Sequence, residues 1–182
     1  YYWNGDVSTR LRKTPLASVA NIGRAFKNYV IQLEDNAVRW SSGAEPGAIP
    51  SAFDAADAND AGEFPLAETQ GKLIDCLPLG GANIIYAADC RYMERWIGGE
   101  FVMAHERLPG SDGLMAPNCV VDTPKGHVFL SQNFDVQIHS GGECQSIAEG
   151  RVRSILNTVT PAYRKRSFLV VNPRFNEVMV CF

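Results

Sequence analysis

Alternating apolar and polar positions recur in short stretches along the chain, and the clearest example lies in residues 126–140. Apolar side chains occupy every second position from Val128 to Leu130 and again from Val136 to Ile138. A period of two is typical of strands with one buried face. A Gln-Asn pair separates the two stretches, and asparagine tolerates the left-handed backbone of a tight turn. The pattern therefore predicts a β-hairpin here.

The apolar spacing changes after Ser140-Gly141-Gly142, which ends the second predicted strand. Ile147, Val152 and Ile155 fall near the spacing of an amphipathic helix. We therefore expect one short helix near residues 144–158.

The hairpin pattern recurs near residues 26–41, 71–107 and 168–182. Each of these ranges offers an apolar strand, a polar turn and a returning strand rich in aromatic or apolar residues. The strands predicted within them are 29–33, 37–40, 73–74, 83–86, 92–96, 100–106, 168–171 and 177–182.

The remaining segments predict loops. Residues 1–25 and 161–166 are interrupted by proline or glycine, and residues 41–70 hold so many small residues, prolines and glycines that no long element is expected. Loops as long as 41–70 are usually functional or face a partner. Its acids suggest calcium, but the EF-hand spacing is not met, so a solvated loop or a subunit contact is favoured. These acids are Asp54, Asp57, Asp60 and Glu63.

A repeat follows from the turn residues Asp35, Asp89, Asn133 and Asn172, which are separated by 54, 44 and 39 residues. A period of about 40–50 residues with several short strands per unit is the signature of propeller blades. We predict a mainly β chain of propeller-like blades with one inserted helix, and a β-sandwich is the alternative. All of residues 1–182 are assigned to one platform domain.

Composition narrows the class of protein. The net charge is −3, with residues 31–80 at −7, which does not suit a dedicated nucleic-acid binder. A small basic cluster at Arg10, Arg12 and Lys13 is expected to be a solvated face. The cysteine spacings contain no CxxC pair, so five reduced thiols are favoured over a zinc site. The cysteines are Cys76, Cys90, Cys119, Cys144 and Cys181.

No catalytic constellation emerges from the residues. The sequence has no GxSxG, P-loop or GxGxxG motif. His105, His127 and His139 lie in or beside predicted strands, where histidine is usually structural, and Ser140 beside His139 is no triad signal. Carboxylates paired across blades could cleave sugars, although no spacing indicates a particular pair.

Four stretches follow one another along the chain: VRWSS…PGAIPSAFD…NDAGE, GKLIDCLPLGGANIIYAADCRYMERWIGGEFVM, GLMAPNCVV…GHVFLSQNFDVQIHSGGECQSIAEGRVRSIL and NPRFNEVMVCF. In this order they resemble the tail nozzle proteins of short-tailed bacteriophages, a family also called tail tubular protein B. The resemblance covers nearly the whole chain from about Phe26, and it lies in the order of the stretches, since no single one is specific.

The resemblance implies a structural virion protein rather than an enzyme. Members of the family form a homohexameric ring below the tail adaptor ring, with tail fibres docked nearby and double-stranded DNA passing through non-specifically during genome ejection. It implies a tail component assembled in the host bacterial cytoplasm. It carries over no catalytic, cofactor-binding or metal-binding residue, and no membrane-spanning segment is expected. The family chain is several times longer, so we expect a piece of a longer polypeptide.

The alternative is a carbohydrate-binding or polysaccharide-cleaving β-propeller of a phage tail. A lectin needs exposed aromatic side chains, for which Trp3, Trp40 and Trp96 are candidates. Trp40 and Trp96 end equivalent predicted strands, however, so we expect both to pack in blade cores.

Overall fold

A computed structural model describes residues 7–8, 20–55, 59–148 and 150–182, without the side chain of Arg151. The chain divides into two compact units, Tyr1–Leu66 and Ala67–Phe182. The described residues form three open four-stranded antiparallel sheets, one two-stranded sheet and two short helices. The predicted mainly β fold of small antiparallel sheets is therefore confirmed.

The first unit contains one sheet whose four strands are neighbours in chain order. Its strands are β1 (Ile22–Phe26), β2 (Tyr29–Leu33), β3 (Ala37–Trp40) and β4 (Gly62–Pro65). Strands β2 and β3 coincide with the predicted hairpin, and Ile31, Leu33 and Val38 form its buried apolar centre.

The second unit begins with a sheet of the same plan. Its strands are β5 (Leu73–Leu79), β6 (Ala82–Ala87), β7 (Arg91–Trp96) and β8 (Met103–Arg107). The strand predicted here covered residues 73–74 and was expected to end before Pro78, yet β5 continues through this proline to Leu79. The strand lies at the sheet edge, where a residue without an N–H group is tolerated.

A second four-stranded sheet follows in the same unit. It contains β9 (Val120–Thr123), β10 (Gly126–Leu130), β11 (Val136–His139) and β12 (Gln145–Ser146). The predicted hairpin of residues 126–140 is confirmed in β10 and β11. All five residues of β10 are buried, so this strand is covered on both faces rather than one.

The last elements are helix α1 (Gly150–Asn157), helix α2 (Pro161–Arg164) and the hairpin of β13 (Phe168–Asn172) and β14 (Glu177–Cys181).

The core of the second unit combines β6 with β10. The rings of Tyr86 and Phe129 lie 5.3 Å apart, centroid to centroid, at 51°. Leu169 of β13 joins the same apolar cluster.

Several expectations about elements were wrong. Ile22–Phe26 forms a strand where a loop was expected, and Gly62–Pro65 forms an edge strand inside the predicted long loop. The helix begins at Gly150 rather than near 144, because Gln145–Ser146 pairs with β11. Residues 161–164 are helical rather than loop.

Trp96, which was expected to pack in a blade core, is exposed over 47% of its surface. Phe101, in the turn that follows, is 72% exposed. Trp40 is buried as expected, with 8% exposed. In the part of the chain that the structure describes, no helix is long and apolar enough to cross a membrane.

Candidate functional site

A buried polar cluster connects the two larger sheets of the second unit. The hydroxyl of Tyr86 and Nδ1 of His127 lie 3.0 Å apart, and Nε2 of His127 lies 2.9 Å from the carbonyl oxygen of Pro78. A carbonyl can only accept, so Nε2 carries the proton and Nδ1 accepts from Tyr86. Burial raises the pKa of Tyr86 and lowers that of His127. Both groups are therefore held neutral.

Arg91 lies beside this cluster and is among the largest fully buried side chains. Its guanidinium donates to the carbonyl oxygen of Pro109 at 2.7 Å and to Sγ of Cys144. Its Cζ also lies 5.8 Å from the centre of the Phe129 ring. Burial lowers the pKa of Arg91. These contacts tie β7 to the segment that follows β8 and to the segment after β11.

His139 ends β11 and is fully buried. Burial, together with the charge of Arg91 and the neighbouring His127, lowers the pKa of His139 to about 4. The folded protein therefore holds this imidazole neutral at pH values where the unfolded chain begins to protonate it.

The pKa of His139 predicts acid sensitivity. Its folded pKa of about 4 lies below the ordinary 6.5, so stability is intact above about pH 6.5 and falls as the pH decreases toward 4. The slope contributed by one such group is about 1.4 kcal/mol per pH unit. We expect His139→Phe to make the free energy of unfolding less pH-dependent. Urea unfolding of both proteins at several pH values between 7 and 4.5 measures this, and equal slopes would contradict it.

A second buried polar group lies in the first sheet of the same unit. Glu94 of β7 accepts from Nδ2 of Asn83 at 2.7 Å, and its other oxygen lies 3.1 Å from Nε2 of His105. Asp75 of β5 accepts from the backbone N–H groups of Cys76 and Asn118, both at 2.8 Å. These side chains bond to one another or to the backbone. They serve to join strands and loops rather than to face a solute.

Sequence reasoning missed these buried polar residues. Glu94 stands inside a predicted strand, and Arg91 and Asp75 directly adjoin predicted strands, where a charge at an inward position is a detectable signal. The three histidines were noted but not brought together. The structure places His127 and His139 opposite each other on β10 and β11, while His105 belongs to the group around Glu94.

The acids of the long loop serve different roles. Asp60 accepts from the hydroxyl of Tyr29 at 3.2 Å and from the backbone N–H of Gly43 at 3.2 Å, so it anchors the loop. Glu63 pairs with Arg39 at 2.9 Å and Asp54 is exposed, while Asp57 lies outside the described residues. No group of three or more His, Cys, Asp or Glu side chains in the described ranges is arranged to hold a metal ion.

The cysteines are all free thiols, with Cys76, Cys90 and Cys119 buried. Burial raises the pKa of Cys119 to about 12, and its thiol donates to the carbonyl oxygen of Ser167 at 3.1 Å. This thiol is therefore protonated and poorly reactive. Trp3 and the basic cluster at residues 10–13 lie outside the described residues.

Charge is segregated on the chain more sharply than the overall balance indicates. Residues 150–176 hold six basic residues and no acid, whereas residues 41–66 hold five acids and no base. The basic residues are Arg151, Arg153, Arg164, Lys165, Arg166 and Arg174; the acids are Glu45, Asp54, Asp57, Asp60 and Glu63.

Two arginines of the basic segment, residues 150–176, already contact other side chains of the same unit. Arg153 pairs with Asp135 at 2.7 Å, and the guanidinium of Arg164 lies 4.2 Å from the centre of the Phe134 ring. Lys165, Arg166 and Arg174 are exposed. They flank β13 at its two ends, on the hairpin at the end of the chain.

An apolar face lies between these exposed basic residues. Phe168 and Val170 of β13 and Met179 of β14 are exposed, with Val170 and Met179 directly opposite each other. The other face of the hairpin packs on the core through Leu169. We define the hairpin surface as Lys165, Arg166, Phe168, Val170, Arg174 and Met179. An exposed apolar face with a charged rim is typical of a protein interface.

Comparison with known proteins assigns no family to the chain. No protein-family model matches it, and no curated protein sequence matches it. A function for this chain is therefore inferred from the sheets and surfaces described above and from the ordered stretches of its sequence.

Proposed function

We propose that the chain is part of a structural subunit of a phage tail nozzle, a ring through which the DNA genome is ejected. The observation that carries the proposal is the succession of four-stranded antiparallel sheets, each formed by consecutive strands, in a chain whose ordered stretches resemble that family. The subunit is a virion protein of the tail, assembled in the host cytoplasm and without catalytic activity.

The sheets support a propeller-like platform. A propeller blade is a four-stranded antiparallel sheet, and each described four-stranded sheet follows that plan in chain order. Blades stack because one sheet alone cannot cover both of its faces, and the fully buried β10 agrees with such stacking.

The proposed ring is a homohexamer bound to the tail adaptor, with tail fibres near their junction. Double-stranded DNA passes through it without sequence-specific contact. A DNA channel works best when it does not grip the phosphates, because each neutralised phosphate adds salt-dependent affinity. The net charge of −7 over residues 31–80 is consistent with weak DNA binding in that part of the chain.

A carbohydrate-binding role in a phage tail is the second candidate. The exposed Trp96 favours it, because flat exposed aromatic rings are a common platform for sugars and this one ends a strand next to the turn that holds Phe101. A polysaccharide-cleaving role would also need paired carboxylates in a cleft. Glu94 is the buried carboxylate nearest to Trp96 in sequence, and it is already bonded to Asn83 and His105.

The experiment that tests the nozzle proposal is imaging of the full-length native protein with and without its adaptor. We expect a six-fold ring with a central hole by negative-stain microscopy, and a matching mass by light scattering. A compact monomer under both conditions would contradict the proposal. Binding of host polysaccharide that is lost in Trp96→Ala would then favour the second candidate.

A further inference from the structure

We infer that the hairpin surface of one copy binds the acidic loop, residues 41–66, of a second copy. This inference rests on the proposed ring and identifies the surfaces through which its subunits meet. The two surfaces differ in chemistry and belong to different parts of the chain. The contact is therefore heterologous, the type that closes into a ring when copies are related by rotation.

Charge complementarity is the first argument. Residues 150–176 carry six bases without an acid, and residues 41–66 carry five acids without a base. Lys165, Arg166 and Arg174 are exposed on one side, and Glu45 and Asp54 on the other. Complementary potentials steer association and fix which surfaces pair, while like charges across a contact oppose it.

The apolar content of both surfaces is the second argument. The hairpin surface exposes Phe168, Val170 and Met179 at the centre of its basic rim. On the acidic side Phe64 of β4 is 46% exposed beside Glu63. Burying such side chains in water-excluded contact supplies affinity, while the charges supply specificity.

The described residues of the acidic loop, 41–55 and 59–66, are anchored by hydrogen bonds, which favours binding. The indole N–H of Trp40 donates to the carbonyl oxygen of Asp60 at 3.0 Å, and the hydroxyls of Ser42 and Ser51 lie 3.1 Å apart. The N–H of Ala52 donates to the Ser42 hydroxyl at 3.0 Å. A loop that is already ordered loses little conformational entropy when it binds.

A neighbouring copy fits the hairpin surface better than DNA does. A free basic surface in a DNA channel would bind phosphates and slow the passage of DNA, with strong salt dependence. Covering it with the acidic loop of the next copy removes that effect. The apolar centre, formed by Phe168, Val170 and Met179, also suits a protein partner rather than a phosphate backbone.

Reciprocal charge reversal in the full-length protein tests the inference. The first variant is Lys165→Glu with Arg166→Glu and Arg174→Glu, which makes the hairpin surface acidic. The second is Glu45→Lys with Asp54→Lys, which changes the formal charge of residues 41–66 from −5 to −1, puts positive charge at the two exposed positions and leaves the anchoring Asp60 intact. Lys125→Glu, at an exposed residue outside both surfaces, is the matched control.

Association is measured by light scattering and negative-stain imaging, with the adaptor present, for each variant alone and for the two mixed. We expect each variant alone to associate at least about tenfold more weakly than the control, because like charges then face each other. The mixture is expected to recover assembly, since the acidic hairpin surface of the first variant meets the introduced lysines of the second, and the basic hairpin surface of the second meets the acidic loop of the first. Circular dichroism verifies that each variant is folded.

Three results would overturn the inference. They are assembly of either variant alone at control strength, a mixture of folded variants that does not recover, and duplex DNA binding that the hairpin variant abolishes while assembly is unchanged. Rings that form normally from every variant would contradict only this inference. Absence of rings in the unsubstituted protein, with and without the adaptor, would contradict the proposed function as well.

Discussion

Trp40→Ala is expected to lower the free energy of unfolding of the first unit by about 3–5 kcal/mol. Trp40 ends β3 and is 8% exposed, and its ring covers Gly62 of β4, where a side chain would overlap it. Its indole N–H also donates to the carbonyl oxygen of Asp60 at 3.0 Å. Truncation therefore leaves a cavity and removes a hydrogen bond that holds the long loop.

Trp96→Ala is the matched control, because Trp96 ends β7 as Trp40 ends β3. With 47% of its surface exposed, Trp96 should cost about 1 kcal/mol or less on truncation. Urea unfolding followed by circular dichroism gives the free energies, and hydrogen exchange of the β2 and β3 amides localises the change. Equal costs for the two substitutions would contradict the structural difference between these strands.

The two tryptophans show what the strand pattern can and cannot predict. Both end the third strand of a four-stranded sheet, as their sequence positions indicated. Trp40 lies opposite Gly62, and the long loop folds back beside it through Asp60. Trp96 lies opposite Met103, and the connection from β7 to β8 is short. Whether each tryptophan is buried depends on the loop that follows its strand and on the residue opposite it. A comparison of the two strand sequences contains neither of these.

The same limit explains the loop prediction. Residues 41–70 were expected to be a solvated loop or a subunit contact without a long element. The structure buries Phe53, Ala61 and Leu66 within that range and adds β4 to the sheet, so deletion would uncover Trp40. Point substitutions of exposed acids therefore test a subunit contact more cleanly than a deletion does.

Predictions succeeded where local pattern and tertiary pairing agree. The strands 29–33 and 37–40 match β2 and β3 because an apolar alternation is interrupted by a polar turn with strong turn preference. The predicted start of the helix was wrong because local pattern and tertiary pairing disagree there. Gln145–Ser146 fits the beginning of a helical pattern, yet its backbone pairs with β11, and this pairing is not encoded in local spacing.

The candidate surface was only partly predictable. The acids of the long loop and the possibility of a subunit contact came from the sequence alone. The hairpin surface did not, since its basic residues are separated by strand residues whose exposed side could not be known before Leu169 was placed in the core.

Gly113→Ala is expected to destabilise the second unit by about 3 kcal/mol. Gly113 lies where the segment after β8 crosses the turn between β6 and β7. A Cβ atom at this position would overlap the carbonyl group of Ala88, and that carbonyl is backbone that cannot rotate away as a side chain would. The carbonyl oxygen of Gly113 also accepts from the N–H of Gln132 at 3.0 Å, so the residue links the two sheets.

Gly142→Ala is the control for Gly113→Ala, because a Cβ atom at Gly142 meets nothing within 4 Å. Its expected effect is within about 0.5 kcal/mol. Urea unfolding of the two variants separates the loss of glycine flexibility, which both share, from the overlap with Ala88. A small cost at Gly113 would mean that the turn at Ala88 can move without loosening the sheets. A large cost would establish that the two sheets of the second unit depend on this backbone contact, as stacked blades of one platform should.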